Sequence, residues 1–151
     1  MVPERLRRPI NKIEQANFLL DQLKVELAQD NVRLWVVEAY LGGLLGAVQS
    51  SFYALRKNHR PTFDPIYKAW RENLLREDRA FLNVMMSQRD ADVHSGGTTL
   101  HINITIQPAG QTFPNEFRLT LGRERPEVVI ACQRFIALMT RLIGQFTNEG
   151  G

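Results

Sequence analysis

MMSQRDADVHSGG, residues 85–97, marks the place where the sequence changes its hydrophobic period. Before this stretch, apolar residues recur every three or four positions, the spacing of an α-helix that buries one face. After Gly96 and Gly97, apolar and polar residues alternate, which indicates a half-buried β-strand. The stretch therefore predicts a mainly α-helical chain in which a β-hairpin is inserted before the last helix.

The helical pattern divides the rest of the chain into four predicted helices that pack as a bundle. They cover residues 11–28, 32–57, 64–95 and 126–147, with an antiparallel β-hairpin over 98–122 and flexible ends over 1–9 and 148–151. Asn11 and Glu14 are suited to form a capping box at the start of the first helix. The sequence allows two courses for the third helix. It runs on to Ser95, or it breaks at Ser87, whose hydroxyl is suited to cap a short new helix.

Three glycines, Gly42, Gly43 and Gly46, lie in the middle of the second predicted helix. Each lowers helix stability by about 1 kcal/mol relative to alanine. We therefore expect the backbone of another helix to approach closely there, within the bundle or from a second subunit. The helix is apolar on most sides, but charged residues interrupt it, which favours a buried helix over a transmembrane span.

The composition is that of an ordinary globular domain, and 19 Lys and Arg against 16 Asp and Glu give a net charge of +3. Cys132 is the only cysteine, which excludes a disulfide framework and a cysteine-based zinc site within one chain. Its apolar neighbours predict a buried helix position. The N-terminus lacks the apolar segment of a secretory signal. We expect a cytoplasmic protein without a metal or cofactor.

Arg56, Lys57, His59 and Arg60 form the densest basic cluster, in the loop after the second helix. Such a cluster is suited to contact RNA phosphates, and a solvated loop gives the same pattern. His101 lies on the polar face of the first predicted strand, where it faces solvent or lines a site beside the preceding motif. These five residues are the predicted RNA-binding positions.

Arg89 and His94 carry the chemistry of the opening stretch. Arginine presents a permanent charge and a planar donor fork suited to phosphate, and histidine transfers protons near neutral pH. On a straight helix five positions correspond to about 500°, so the two residues point about 140° apart. A local break in the helix, or a second copy of the chain, is needed to bring them together.

The sequence RDADVH, residues 89–94, resembles the signature of the HEPN superfamily (higher eukaryotes and prokaryotes nucleotide-binding), in which arginine and histidine are separated by four to six residues. The resemblance implies a single HEPN-like domain over residues 1–151 and a metal-independent endoribonuclease whose site lies at a homodimer interface. It assigns His94 to proton transfer as the RNA 2′-hydroxyl attacks the phosphate, Arg89 to stabilising the phosphate charge, and Asp90 to a supporting role. The implied products carry a 2′,3′-cyclic phosphate and a 5′-hydroxyl.

Two other functions fit the same sequence. A non-catalytic dimeric bundle, such as a toxin–antitoxin or defence component, would bind RNA or a protein partner through the glycine-containing helix without cutting RNA. A small-molecule pocket between helices and hairpin would be lined by Trp35, Tyr67 and Trp70. Aromatic residues at helical spacing are more often part of a core, which argues against the pocket.

Overall fold

Five helices and a two-stranded antiparallel sheet make up the fold of the computed structural model, which describes residues 2–94, 104–108, 115–119 and 126–148. In chain order the elements are α1 (Glu4–Leu27), α2 (Leu34–Asn58), α3 (Phe63–Glu72), α4 (Arg76–His94), β1 (Ile104–Pro108), β2 (Asn115–Leu119) and α5 (Val128–Gly144). The prediction of a mainly helical bundle with a β-hairpin before the last helix is confirmed.

A long antiparallel hairpin of α1 and α2 is the frame of the molecule, and α5 packs against both of its helices. The buried residues of α1 recur every three or four positions, which gives the helix one apolar face. They include Leu6, Ile13, Ala16, Leu20 and Leu23. The hydroxyl of Ser51 on α2 donates to the carbonyl of Pro9 on α1 at 2.8 Å. This buried bond ties the two helices together near the start of α1.

The predicted flexible end over residues 1–9 is helical from Glu4 onward, and its Pro9 is buried. Proline has no N–H to donate to the carbonyl one turn earlier, which here belongs to Arg5. Asn58, at the end of α2, donates its Nδ2–H to that carbonyl instead, at 3.1 Å. A contact between the two helices thus compensates for the missing backbone bond and lets α1 begin earlier than predicted.

The helix predicted over residues 64–95 is two helices, because the chain leaves the helical conformation between Glu72 and Arg76. Asn73 ends α3, and its Nδ2 donates to the carbonyl of Ala69 at 3.0 Å. The backbone N–H of Asn73 donates to the same carbonyl at 3.3 Å, so the side chain adds to the last helical bond and does not replace it. The sequence pattern alone did not reveal this interruption.

α4 runs without a break from Arg76 to His94. Ser87 lies inside it and donates its hydroxyl to the carbonyl of Val84 at 2.9 Å, so it does not cap a new helix. Of the two courses that the sequence left open, the structure has the continuous helix. Ser95 lies outside the described residues, as do residues 149–151 of the predicted flexible C-terminal end.

The glycines of α2 differ in their surroundings. A Cβ atom at Gly43 would lie 3.2 Å from Cδ1 of Leu19 on α1. A leucine side chain therefore lies close to this glycine, whereas the expected backbone does not approach it within the described residues. A Cβ atom at Gly46 would meet nothing within 4 Å in the described part of the chain. None of the described helices, α2 included, is long and apolar enough to cross a membrane.

An aromatic cluster holds α3 against the ends of α2 and α5. Phe63 stacks on Tyr67 and on Phe146, with ring centroids 5.4 and 5.6 Å apart, and Tyr67 stacks on Trp70 at 6.0 Å. Trp35 is remote from this cluster, at the start of α2, and is 68% exposed. Trp35, Tyr67 and Trp70 therefore do not line one pocket, because Trp35 lies apart while Trp70 is buried in the core and Tyr67 packs half-buried against it.

The β-hairpin pairs as predicted, with Ile104 opposite Leu119 and Ile106 opposite Phe117. Phe117 and Leu119 are buried, and β2 packs on α5. The backbone N–H of Leu119 also donates to the carbonyl of Pro126 at 2.9 Å, just before α5 begins. The hairpin is therefore joined to the core through the last helix.

Cys132, on α5, is buried as predicted. Burial raises the pKa of its thiol to about 12. The thiolate is the nucleophilic form of cysteine, so this side chain is unsuited to covalent catalysis at neutral pH.

Candidate nucleic-acid interface

Arg89, Asp90 and His94, the residues of the predicted catalytic motif, all lie on α4. The structure describes only the backbone of residues 88–94. Because α4 has no break, the positions of Arg89 and His94 point about 140° apart around its axis. The two positions therefore lie on different faces of α4.

The strongest concentration of positive charge lies where α1 begins and α2 ends; we call it the basic end. It consists of Arg5, Arg7 and Arg8 on α1 and Arg56, Lys57 and Arg60 on α2 and in the turn that follows it. All six side chains are exposed. The two groups are about fifty residues apart in the sequence, and the antiparallel hairpin places them side by side through the hydrogen bond from Asn58 to the carbonyl of Arg5.

An open cleft of about 380 Å³ lies within the basic end. Its lining consists of Glu4, Arg5, Arg7, Arg8, Asn11 and Asn58. Three guanidinium groups and two amides offer many N–H donors there, against one carboxylate. Such a lining is suited to an anion with several oxygen acceptors, a phosphate above all.

The basic end also dominates the charge distribution of the chain. Six of the 19 Lys and Arg residues belong to it, with one of the 16 Asp and Glu residues, Glu4. The remainder of the sequence then has 13 basic and 15 acidic residues. The positive net charge of the protein therefore resides in this one region, which is the distribution expected of a surface that attracts polyanions.

The helix dipole favours the cations of α2 at the basic end and disfavours those of α1. Arg56 and Lys57 lie in the last turn of α2, where the negative helix end stabilises cations. Arg5 and Arg7 lie in the first turn of α1, where the positive helix end disfavours cations by about 0.3–1 kcal/mol each. Glu4 pairs with Arg7 at 3.0 Å, but both side chains are exposed, so the ion pair contributes little to the stability of the fold.

His59, predicted to contact RNA, is not part of this surface. It is buried, and its Nδ1–H donates to the carbonyl of Leu55 at 2.9 Å; a carbonyl can only accept, so Nδ1 carries the proton. Its ring packs against Phe146 with the centroids 4.8 Å apart. The prediction for His59 is therefore wrong, because its ring belongs to the core. His101 lies outside the described residues.

Arg5, Arg7 and Arg8 were not predicted as site residues, because the sequence around them reads as a flexible basic end. A signal was present in the spacing of Leu6 and Pro9 from the apolar residues of α1, which continues the helical stripe toward the N-terminus. Periodicity places these arginines on a helix, but only the pairing with α2 places them beside a second basic group.

Within the described residues, no group of three or more His, Cys, Asp and Glu side chains is placed to hold a metal ion. Comparisons of the chain with family models, with curated proteins and with solved structures gave no match. The resemblance to the HEPN superfamily therefore rests on residues 89–94 and on the helical framework around them.

Proposed function

We propose that this protein binds RNA through the basic end of the α1–α2 hairpin. The observation that carries the proposal is the juxtaposition of two arginine-rich segments, held together by the bond from Asn58 to the carbonyl of Arg5. Arginines spread over one surface suit the regularly spaced phosphates of a nucleic-acid backbone. The resemblance of residues 89–94 to the HEPN motif favours RNA over other polyanions.

The position of the α1 arginines supports this proposal. They lie at the helix end whose dipole disfavours cations, and the ion pair between Arg7 and Glu4 is exposed to water on both sides. Local stability therefore does not account for them. A bound phosphate chain would supply the negative charge that this surface lacks.

Fluorescence anisotropy with a labelled single-stranded RNA of about 12 nucleotides tests the proposal. The variants Arg5→Ala/Arg8→Ala and Arg56→Ala/Lys57→Ala each remove two charges, one pair from each half of the basic end. We expect each to weaken binding about tenfold or more. We also expect the slope of log K against log salt concentration to fall by about 1.4, because each phosphate contact to a single strand contributes about 0.7.

Lys24→Glu is the matched control, because it lowers the net charge by the same two units and Lys24 is exposed in the last turn of α1, at the opposite end of this helix from the basic end. We expect its affinity to stay within about twofold of the unmodified protein, since charges beyond a Debye length are screened. An equal loss in the control would contradict the proposal. Loss in the Arg56/Lys57 variant alone would remove α1 from the binding surface.

RNA cleavage by the HEPN-like motif is a second candidate function, and the unbroken course of α4 favours a composite site. Since positions 89 and 94 lie on different faces of one helix, we propose that Arg89 of one copy acts with His94 of another, in a homodimer. His94 would handle the proton as the 2′-hydroxyl attacks phosphorus and the bond to the 5′-oxygen breaks. Arg89 would stabilise the charge on the phosphate oxygens, with Asp90 in a supporting role.

Mixing Arg89→Ala protein with His94→Ala protein tests this composite site. Each variant alone is expected to be inactive on RNA in the presence of EDTA. After subunit exchange the mixture should recover about a quarter of the original activity, because half of the dimers are mixed and each mixed dimer has one of its two sites intact. Full activity of either variant alone would contradict cleavage by this motif. A mixture that stays inactive would contradict the composite site.

A further inference from the structure

The opposite end of the α1–α2 hairpin carries a second cleft, of about 350 Å³ and open to solvent. It lies beside the turn that joins the two helices; we call it the turn cleft. Its lining includes Gln22, Glu26, Asp30, Asn31, Arg33 and Tyr40. No residue of the basic end lines it, so its chemistry is independent of the RNA binding proposed for that end.

Glu26 is the unusual residue of the turn cleft, since it is a carboxylate only 3% exposed. Arg33 donates to it from Nε at 2.8 Å, and its Nη2 lies 2.7 Å from the same oxygen, Oε1, as an ion-pair contact. An arginine fork more often engages both oxygens of a carboxylate. Oε2 of Glu26 is buried and accepts no hydrogen bond from the described residues.

An ionised oxygen without a donor is costly to bury. Oε2 is therefore an unused acceptor, and because this oxygen is enclosed, an N–H reaches it only when a neighbouring side chain moves. The Arg33 side chain is 61% exposed, and its guanidinium lies 5.7 Å from the centre of the Trp35 ring. A ligand at Oε2 therefore requires Arg33, the more exposed partner of the pair, to turn outward.

The remaining lining indicates the charge of the missing partner. Arg33 is the one cation among the residues that line the turn cleft, and Glu26 already balances it. Asp30 adds a second negative charge, and amide and hydroxyl oxygens of Asn31 and Tyr40 add further acceptors. The cleft as a whole therefore favours a positively charged group that donates hydrogen bonds.

We propose that the turn cleft binds a primary ammonium group of a small aliphatic amine, with one N–H donated to Oε2 of Glu26. An ammonium group has three donors and one charge on a compact head, which matches a cleft lined by a buried carboxylate and by further acceptors. A cleft of about 350 Å³ is at the small end of ligand-binding sites. This volume suits a short chain and not a large ring system.

An NMR titration of the amide resonances with putrescine tests the proposal. We expect saturable shifts confined to the residues around 22–33 and to Tyr40. 1,4-Butanediol is the matched control ligand, because it has the same carbon chain with hydroxyls in place of ammonium groups, and it should cause no saturable shift. Nα-acetyl-lysine-N-methylamide distinguishes a free amine from a protein lysine as the source, according to which of the two binds more tightly.

Glu26→Gln keeps the size of the side chain and removes its charge. We expect it to weaken putrescine binding about tenfold or more, since it replaces a charge-assisted hydrogen bond. Glu38→Gln is the matched control, because Glu38 is exposed on α2 outside the cleft and the change in charge is the same. This control should leave the affinity unchanged.

Asp30→Asn is a second variant that leaves the Glu26–Arg33 pair intact, so it stays informative if Glu26→Gln fails to fold. We expect it to weaken binding two- to threefold, as befits an exposed charge at the rim. The proposal is overturned by equal binding of 1,4-butanediol, by undiminished binding in folded Glu26→Gln, or by shifts that never saturate. In the last case Glu26 and Arg33 are a structural ion pair only.

Discussion

The two ends of the α1–α2 hairpin each carry a glutamate–arginine pair, and the pairs differ in burial. At the basic end, Glu4 and Arg7 lie 3.0 Å apart with 81% and 60% of their side chains exposed. At the turn cleft, Glu26 and Arg33 lie 2.7 Å apart, and Glu26 is 3% exposed. Water screens the first pair, whereas the second carboxylate depends on its partner. The same residue types therefore leave arginine free for a ligand at one end and hold the fold together at the other.

The largest expected effect comes from Arg33→Ala, which leaves the buried carboxylate of Glu26 without its only described partner. We expect the free energy of unfolding to fall by about 2 kcal/mol, less than for a fully enclosed pair because Arg33 is itself largely exposed. Urea denaturation measures the change. Arg7→Ala, at the exposed pair, should lower stability by less than about 0.5 kcal/mol. Equal effects would refute the contrast between the two ends.

A smaller effect is expected for Asn58→Ala, which removes the donor to the carbonyl of Arg5. We expect a loss of about 1 kcal/mol in the free energy of unfolding. In a Pro9→Ala background the loss should shrink by about half or more, because alanine at that position regains the N–H that serves this carbonyl in a regular helix. A double-mutant cycle of the two substitutions, measured by urea denaturation, gives the coupling. Independent effects would show that Asn58 does not compensate for Pro9.

The smallest effects are expected between the two ends, at the glycines of α2. Gly46→Ala should raise the free energy of unfolding by about 0.5–1 kcal/mol, because alanine favours a helix and its Cβ would meet nothing in the described residues. Gly43→Ala should gain less, since Leu19 must move to admit the new Cβ at 3.2 Å. Thermal unfolding compares the two variants. A loss of stability at Gly46 that depends on protein concentration would show a second copy packed on this face.

The helices and the β-hairpin could be predicted because apolar residues recur along the sequence with the period of each element. The helix boundaries could not be predicted where the tertiary structure decides them. α1 starts before Pro9 because Asn58 of another helix replaces the missing donor. α3 ends at Glu72, although apolar residues continue at helical spacing through Leu74 and Phe81. Neither the bond from Asn58 nor the end of α3 can be recognised in the hydrophobic pattern.

The candidate site was predicted in part. Arg56, Lys57 and Arg60 are exposed as a phosphate-contact surface requires, whereas His59, within the same run of sequence, turns into the core. Residues next to each other in a sequence share a chemical pattern but not a direction, and only the packing of Phe146 against the histidine ring separates them. Glu26 was not predicted as a site residue, since a single glutamate on a helix carries no signal of burial.

The sequence by itself determined the class of this protein: a helical domain with one hairpin, an excess of arginine, and an arginine–histidine pair on the helix before that hairpin. These properties follow from the composition and from the order of neighbouring residues, so the sequence alone shows them. Tertiary structure alone decided which charges meet, because the antiparallel pairing of α1 and α2 joins residues about fifty positions apart. It also decided that Glu26 is buried with one oxygen unpaired, because burial is a property of packing between helices and not of any one of them.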